Sequence, residues 1–140
     1  MKRIQFYPSP ILAEMLATDA QTSSVGVSTL VVDLLNHHYR LVPKNKLSLT
    51  QTTVQVLDEV EEYVKTLKIN EEFDLLTASE TFRKIDMVSA GKPSTNRANI
   101  GRSFSKQIGK PRFINVNVAY RPDKKIKKSH NNATIYKKMK

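Results

Sequence analysis

MKRIQFYPSP, residues 1–10, has to be read with a period of two. Ile4 and Phe6 fall on one side, and Arg3, Gln5 and Tyr7 on the other. Successive side chains of a β-strand point to opposite faces, so this pattern predicts a half-buried strand with one apolar and one polar face. Ser9-Pro10 follows, a capping residue with proline at the first helical position. A lone strand of about six residues is not stable by itself. No second strand lies nearby in the chain, so the natural partner is the same strand of a second copy. A dimer is expected.

Outward from this strand, ILAEMLATDAQ places Ile11, Leu12, Met15 and Leu16 along one helical stripe. VGVSTLVVDLLNHHYRL reads as a second helix with Val27, Leu30, Val31, Leu34 and Leu35 on a wide apolar face, ended by Pro43. Ser24 and Ser28 both suit its N-cap, and Gly26 fits either the turn or the first helical turn. About 40 residues are too few to bury this much Leu, Ile and Val in a monomer.

The run R-I-Q-F-Y, the capped entry S-P-I-L and the helix S-T-L-V-V-D-L-L together resemble the ribbon-helix-helix family of DNA-binding proteins over roughly the first 41 residues. The resemblance implies an intertwined dimer in which two strands pair antiparallel and enter a major groove. Ile4 and Phe6 would then face the dimer core, while Arg3, Gln5 and Tyr7 would face base edges. Amides near residues 25–29, with the hydroxyl of Ser24 or Ser28, would hold a phosphate. Pro8 stands where the family usually has a third apolar strand residue, and Gly26 where it often has a polar one. The alternative for Arg3, Gln5 and Tyr7 is a solvated strand face. The adjacent His37 and His38 point about 100° apart on a helix, which suits surface positions and not a shared metal.

A linker is expected over 43–47. Ser48 and Gln51 form a capping-box pattern before TQTTVQVLDEVEEYVKTLK, whose Val56, Leu57, Val60, Val64 and Leu67 share a face opposite the acidic Asp58, Glu59, Glu61 and Glu62. EEFDLL is a short strand candidate, and Thr77 with Glu80 suggests a capping box opening TASETFRKIDM. Gly91-Lys92-Pro93-Ser94 reads as a turn. STNRANIGRSFSKQIG reads as a helix with Ile100, Phe104 and Ile108 inward, stopped by Gly109-Lys110-Pro111. RFINVNVAY alternates as a strand with Ile114, Val116, Val118 and Tyr120 on one face. RPDKKIKKSHNN is a lysine-rich loop, long enough to be disordered without DNA, and ATIYKK closes as a strand.

This order resembles a winged helix-turn-helix domain across 48–140. The resemblance implies that Asn96, Arg97, Asn99, Arg102, Ser103 and Lys106 face a major groove, with Arg121, Lys124, Lys125, Lys127 and Lys128 on the wing. The expected fold class is therefore α+β: a ribbon-helix-helix over 1–42 joined to a winged-helix-like basic domain. The competing reading is a basic hairpin with no groove role.

The charge distribution points the same way. The net charge of +10 divides into zero over 1–40, −3 over 41–90 and +13 over 91–140, where Asp123 is the only acid. Such asymmetry favours a polyanionic partner. Cysteine is absent, which excludes disulfides, thiolate catalysis and Cys-ligated metals. No apolar run approaches the roughly 20 residues of a membrane span. With only three histidines and four glycines, no catalytic constellation, phosphate-cradling loop, metal site or cofactor motif emerges. The sequence thus predicts a cytoplasmic, nucleoid-associated, homodimeric and sequence-specific double-stranded DNA-binding protein without cofactors, acting as a transcriptional repressor or autoregulator. Alternatives are a plasmid replication-control, segregation or conjugation accessory protein, an antitoxin binding a partner protein, or an RNA-binding protein. Fold alone does not choose among these roles.

Overall fold

Ser9 does what its position predicts. In the computed structural model, which describes residues 2–42, 46–86, 88–89, 91–130 and 132–140, its hydroxyl accepts from the Leu12 amide at 3.2 Å and Pro10 opens helix α1, Pro10–Thr22. The chain divides into two units, Met1–Gln51 and Thr52–Lys140.

The first unit is helical. α1 ends in a Schellman-type turn: Ser24 is left-handed (φ 58) and the Val25 amide reaches Ala20 O at 3.0 Å. Helix α2, Val27–His38, then starts from Gly26 with no side-chain cap. The expectation that Ser24 or Ser28 caps α2 is therefore corrected. Ser24 closes the preceding helix, and Ser28 already lies inside α2. α2 stops well before Pro43, a residue outside the described ones, because Arg40 turns left-handed (φ 57) and Leu41 N bonds Asn36 O at 2.9 Å. The expected capping box forms: Ser48 N donates to Gln51 Oε1 at 3.0 Å, and Gln51 N donates to Ser48 Oγ at 3.1 Å. Asp33 of α2 accepts from the Thr50 amide at 2.8 Å and from its hydroxyl.

The apolar stripes of this unit lie open. Among the described side chains of α1 and α2, Ala20 and Leu30 alone are buried, while Ile11, Leu12, Met15, Val27, Val32, Leu34 and Leu35 are exposed. Residues 2–9 carry no regular structure, which is what an isolated strand does without a partner to hydrogen-bond.

The second unit has mixed helix and sheet. Helix α3, Leu49–Thr66, buries Val56, Leu57, Val60 and Val64 as its period of 3.6 requires, with Thr53 beside them. Strand β1, Glu72–Phe73, forms one edge of a three-stranded sheet. The order is β1-β5-β4, antiparallel throughout, with β4 at Val116–Val118 and β5 at Tyr136–Lys138. Glu72 faces Lys137, and Asn117 faces Lys137 from the other side. Phe104, wholly buried, forms the hub of the core. Its ring meets Tyr136 edge-on at 4.8 Å, Phe113 at 5.0 Å and Phe73 at 6.5 Å. Lys138 of β5 caps the end of α3 by donating to Val64 O (3.0 Å) and Leu67 O (2.8 Å).

Four local expectations need correcting here. The helix over TASETFRKIDM splits into α4, Leu75–Ala78, and α5, Glu80–Arg83, and no Thr77–Glu80 box forms. Asp74 caps α4 through the Thr77 amide at 2.7 Å. Ser79 stays extended between them, its hydroxyl accepting from Phe82 N and donating to Glu59. That side-chain bonding competes with helix continuation. Second, Lys92-Pro93 is strand β3, paired with Val88–Ser89 as β2, so the turn is centred on Gly91 (φ 76). Third, alternation fails outside 116–118. Phe113, Val116 and Ala119 are buried while Ile114 and Tyr120 are exposed, because 110–115 is a succession of tight turns and 119–120 leaves β4 to pair with the hairpin at Lys127 and Ile126. Fourth, the acids of α3 are not a merely solvated face. Arg112 binds Asp58 and Glu61 and lies 5.6 Å from the Phe113 ring, and Glu59 ties α3 to Ser79 and Thr81.

Candidate nucleic-acid interface

Helix α6, Asn96–Gln107, is rotated by burial of Ile100 and Phe104, both fully inaccessible. That fixes which side chains can reach a partner. Gly109 in the left-handed region (φ 81) ends the helix as expected. Asn96, Arg102 and Lys106 are exposed, and Asn99 and Ser103 half-buried. Arg102 is held on the surface by the Asn99 side-chain oxygen. Arg97 is turned inward instead. It donates to Arg83 O at 2.7 Å, sits 5.7 Å from the Phe82 ring, and leaves its Nε buried without an acceptor among the described residues.

Sequence reasoning passed over Ala98, Gly101 and Ser105, because small residues carry no charge to flag them. Their spacing of three and four places them on one edge of α6. There they line a cleft of about 500 Å³ between α6, α4 and the chain before β5, with Leu75, Leu76 and Phe82 on one wall and Lys128, Asn132 and Thr134 on the other. The Ser105 hydroxyl is 3.3 Å from that of Tyr136, whose burial pushes its phenol pKa up against the opposing effect of that contact.

The lysine-rich segment is folded. Ala119 N bonds Ile135 O (2.9 Å), Lys127 N bonds Ala119 O (2.9 Å), and Ile135 N bonds Lys127 O (3.0 Å), so three short passes of chain run side by side. Two tight turns join them. One is closed by Arg121 N to Lys125 O at 2.8 Å with Lys124 left-handed (φ 69). The other is closed by Ser129 N to Ala133 O at 2.8 Å with Asn132 left-handed (φ 61). An unstructured loop is therefore not what forms over 121–130, since local backbone bonds satisfy the polar chain.

Its cations differ in their partners. Arg121 pairs with Asp123 at 3.1 Å, and Lys127 with Glu72 at 2.8 Å. Lys128 donates to the neutral Thr134 hydroxyl at 3.0 Å. Lys124 and Lys125 are exposed, and among the described residues no carboxylate bridges either of them, nor Arg97, Arg102, Lys106 or Lys128.

No family model, curated protein or solved structure matches this chain.

Other acids of the same unit pair away from α6 and the hairpin. Asp58 and Glu61 hold Arg112, Glu62 pairs with Lys65 at 2.9 Å, and Glu80 with Lys84 at 3.0 Å. Burial raises the tendency of Glu59 to protonate. The Thr81 hydroxyl and amide, the Ser79 hydroxyl and Gln55 outweigh it and hold the carboxyl below its ordinary value. Arg112 is likewise pushed up by Glu61 and Asp58 although burial opposes its charge.

In the first unit, Arg3, Gln5 and Tyr7 are exposed and belong to no strand in the single chain. Ser24 is half-buried and Ser28 exposed near the start of α2, whose first turn has no side-chain acceptor. His37 and His38 are exposed, and the His38 ring meets Tyr39 edge-on at 4.9 Å. Among the described residues no three potential metal ligands gather, and no helix is long and apolar enough to cross a membrane.

Proposed function

We propose that this protein is a homodimeric, sequence-specific double-stranded DNA-binding protein of the cytoplasm, acting as a transcriptional repressor or autoregulator. On this reading the second unit is winged-helix-like. α6 offers Asn96, Asn99, Arg102, Ser103 and Lys106 to a major groove, and the hairpin offers Lys124, Lys125 and Lys128 to the backbone. The element order and the β1-β5-β4 sheet suit that fold, with the β2–β3 hairpin as an addition. The observation that carries the proposal is the sorting of charge. Arg97, Arg102 and Lys106 of α6 and Lys124, Lys125 and Lys128 of the hairpin lack carboxylate partners among the described residues, whereas Arg121 and Lys127 pair with Asp123 and Glu72 and the other ion-paired acids of the unit lie on α3 and α5. Unneutralised cations that converge without acids make a field that attracts a polyanion.

The first unit supplies the dimer. Its exposed Ile4, Phe6, Ile11, Leu12, Met15, Leu34 and Leu35 amount to a core without its other half. A second copy pairing residues 2–7 as an antiparallel ribbon would cover the Ile4 and Phe6 face and leave Arg3, Gln5 and Tyr7 outward. The uncapped start of α2 then suits a backbone phosphate.

Fluorescence anisotropy with a random-sequence duplex tests the proposal. Lys124, Lys125 and Lys128 in each chain give about six phosphate contacts per dimer, so the slope of log K against log salt should be about −5. A binding curve that barely moves with salt, or no binding at low salt, refutes it.

A further inference from the structure

The cleft beside α6 has a composition that groove contact alone does not account for. Its Leu75, Leu76 and Phe82 wall is apolar, its size of about 500 Å³ lies in the range of small-molecule sites, and no carboxylate lines it among the described residues. Three cations nonetheless meet there: Arg97, Arg102 and Lys128. The acceptors found for them are all neutral, namely Arg83 O, the Asn99 amide oxygen and the Thr134 hydroxyl. Elsewhere in the same unit Arg112, Arg121, Lys65, Lys84 and Lys127 each have a carboxylate, and Lys106, Lys124 and Lys125, which share the lack of one, do not line the cleft. The Arg97 Nε is buried without an acceptor among the described residues, so this guanidinium keeps an unpaired donor. Room for a ligand comes from Ala98, Gly101 and Ser105, where longer side chains would fill the space.

We propose that this cleft binds a nucleotide, its phosphate among Arg102, Lys128 and Arg97 and its base against Leu76 and Phe82. Arginine and lysine supply charge-assisted hydrogen bonds to phosphate oxygens, and the apolar wall shelters a flat ring. The nucleotide is either free or one unit of a strand, and both present the same phosphate and base. The inference goes beyond duplex recognition and does not require it.

Titration of the full chain, followed by its amide NMR signals, tests this with four probes: AMP, adenosine, inorganic phosphate and a single-stranded tetranucleotide. AMP should shift the amides of Leu76, Ala98, Gly101, Ser105 and Thr134 together. It should bind about tenfold or more tighter than adenosine, which lacks the charge-assisted bonds, or phosphate, which lacks the base. A tetranucleotide that binds more tightly than AMP at the same amides identifies a strand as the source, and the reverse identifies a free nucleotide. Gly101→Leu changes no charge and fills the cleft, and a Cβ at this position meets nothing within 4 Å. It should weaken AMP by about tenfold or more. Lys128→Gln, an exposed and structurally safe change, should weaken AMP comparably and leave adenosine unaffected, whereas Lys137→Gln should leave both unchanged. Shifts scattered over the surface, no shifts with AMP or the tetranucleotide, or equal affinity in wild type and both cleft variants overturn the inference. A chain that binds AMP here and ignores duplex DNA keeps this inference and loses the preceding proposal. A chain that binds duplex and ignores AMP and the tetranucleotide does the opposite.

Discussion

Ile4→Ala is the sharpest probe of the dimer. Ile4 is 89% exposed in the single chain, so nearly all of its burial would come from a partner. The substitution removes three methylene-sized groups at about 0.8 kcal/mol each, or ~2 kcal/mol per chain at that exposure. Two-fold symmetry makes the loss occur twice, giving ~4 kcal/mol per dimer. The dissociation constant should therefore rise by about three orders of magnitude. Because Ile4 lies outside α1 and α2, their helical content should be retained in so far as it is local. Sedimentation equilibrium over a wide concentration range reads the constant directly. A wild-type chain that stays monomeric at high micromolar concentration removes the ribbon. A wild-type dimer that Ile4→Ala leaves untouched places the interface elsewhere, on the α1 and α2 stripes alone.

Other outcomes follow from the second unit. Phe104→Ala removes the fully buried hub of four aromatic rings and should cost about 3–5 kcal/mol in denaturant unfolding; a loss below about 1 kcal/mol contradicts that role. Glu59 has a folded-state pKa below the ordinary 4.5, so its contribution is present above that pH and declines as pH falls through the lower folded value. Glu59→Gln should therefore flatten the acid limb of the stability–pH curve, and an unchanged limb shows that the Ser79 and Thr81 bonds do not favour the ionised form. Replacing Lys124, Lys125 and Lys128 with Ala should weaken all duplexes alike and reduce the salt slope by about three per chain. Altered sequence preference in that variant would assign the hairpin to base reading instead.

Periodicity and capping chemistry carry much of this fold locally. Ser9-Pro10, the Ser48–Gln51 box, the Val56–Leu57–Val60–Val64 face, Ile100 with Phe104, and Gly109 are legible because each involves residues within a turn or two of one another. The charge split between 41–90 and 91–140 is legible for the same reason, since it needs only a count. Other features depend on contacts that the linear chain does not display. Ser79 breaks a helix because Glu59, 20 residues earlier, takes its hydroxyl. Ile114 turns outward because the regular β4–β5 pairing spans only 116–118, and Tyr120 does so where the chain leaves β4 to pair with Ile126. Arg97 folds onto Phe82 while lining the same cleft as Arg102, and Arg112 reaches back to Asp58 and Glu61. The cleft beside Ala98, Gly101 and Ser105 exists only once α4 and the hairpin stand across from α6. Local hydrogen bonding and apolar spacing act within a few residues, so sequence alone determines the longer helices α1, α2, α3 and α6 and the sign of the charge each stretch carries. Which cation meets a carboxylate and which faces an open cleft depends on distances between elements far apart in the chain, and tertiary packing alone decides them.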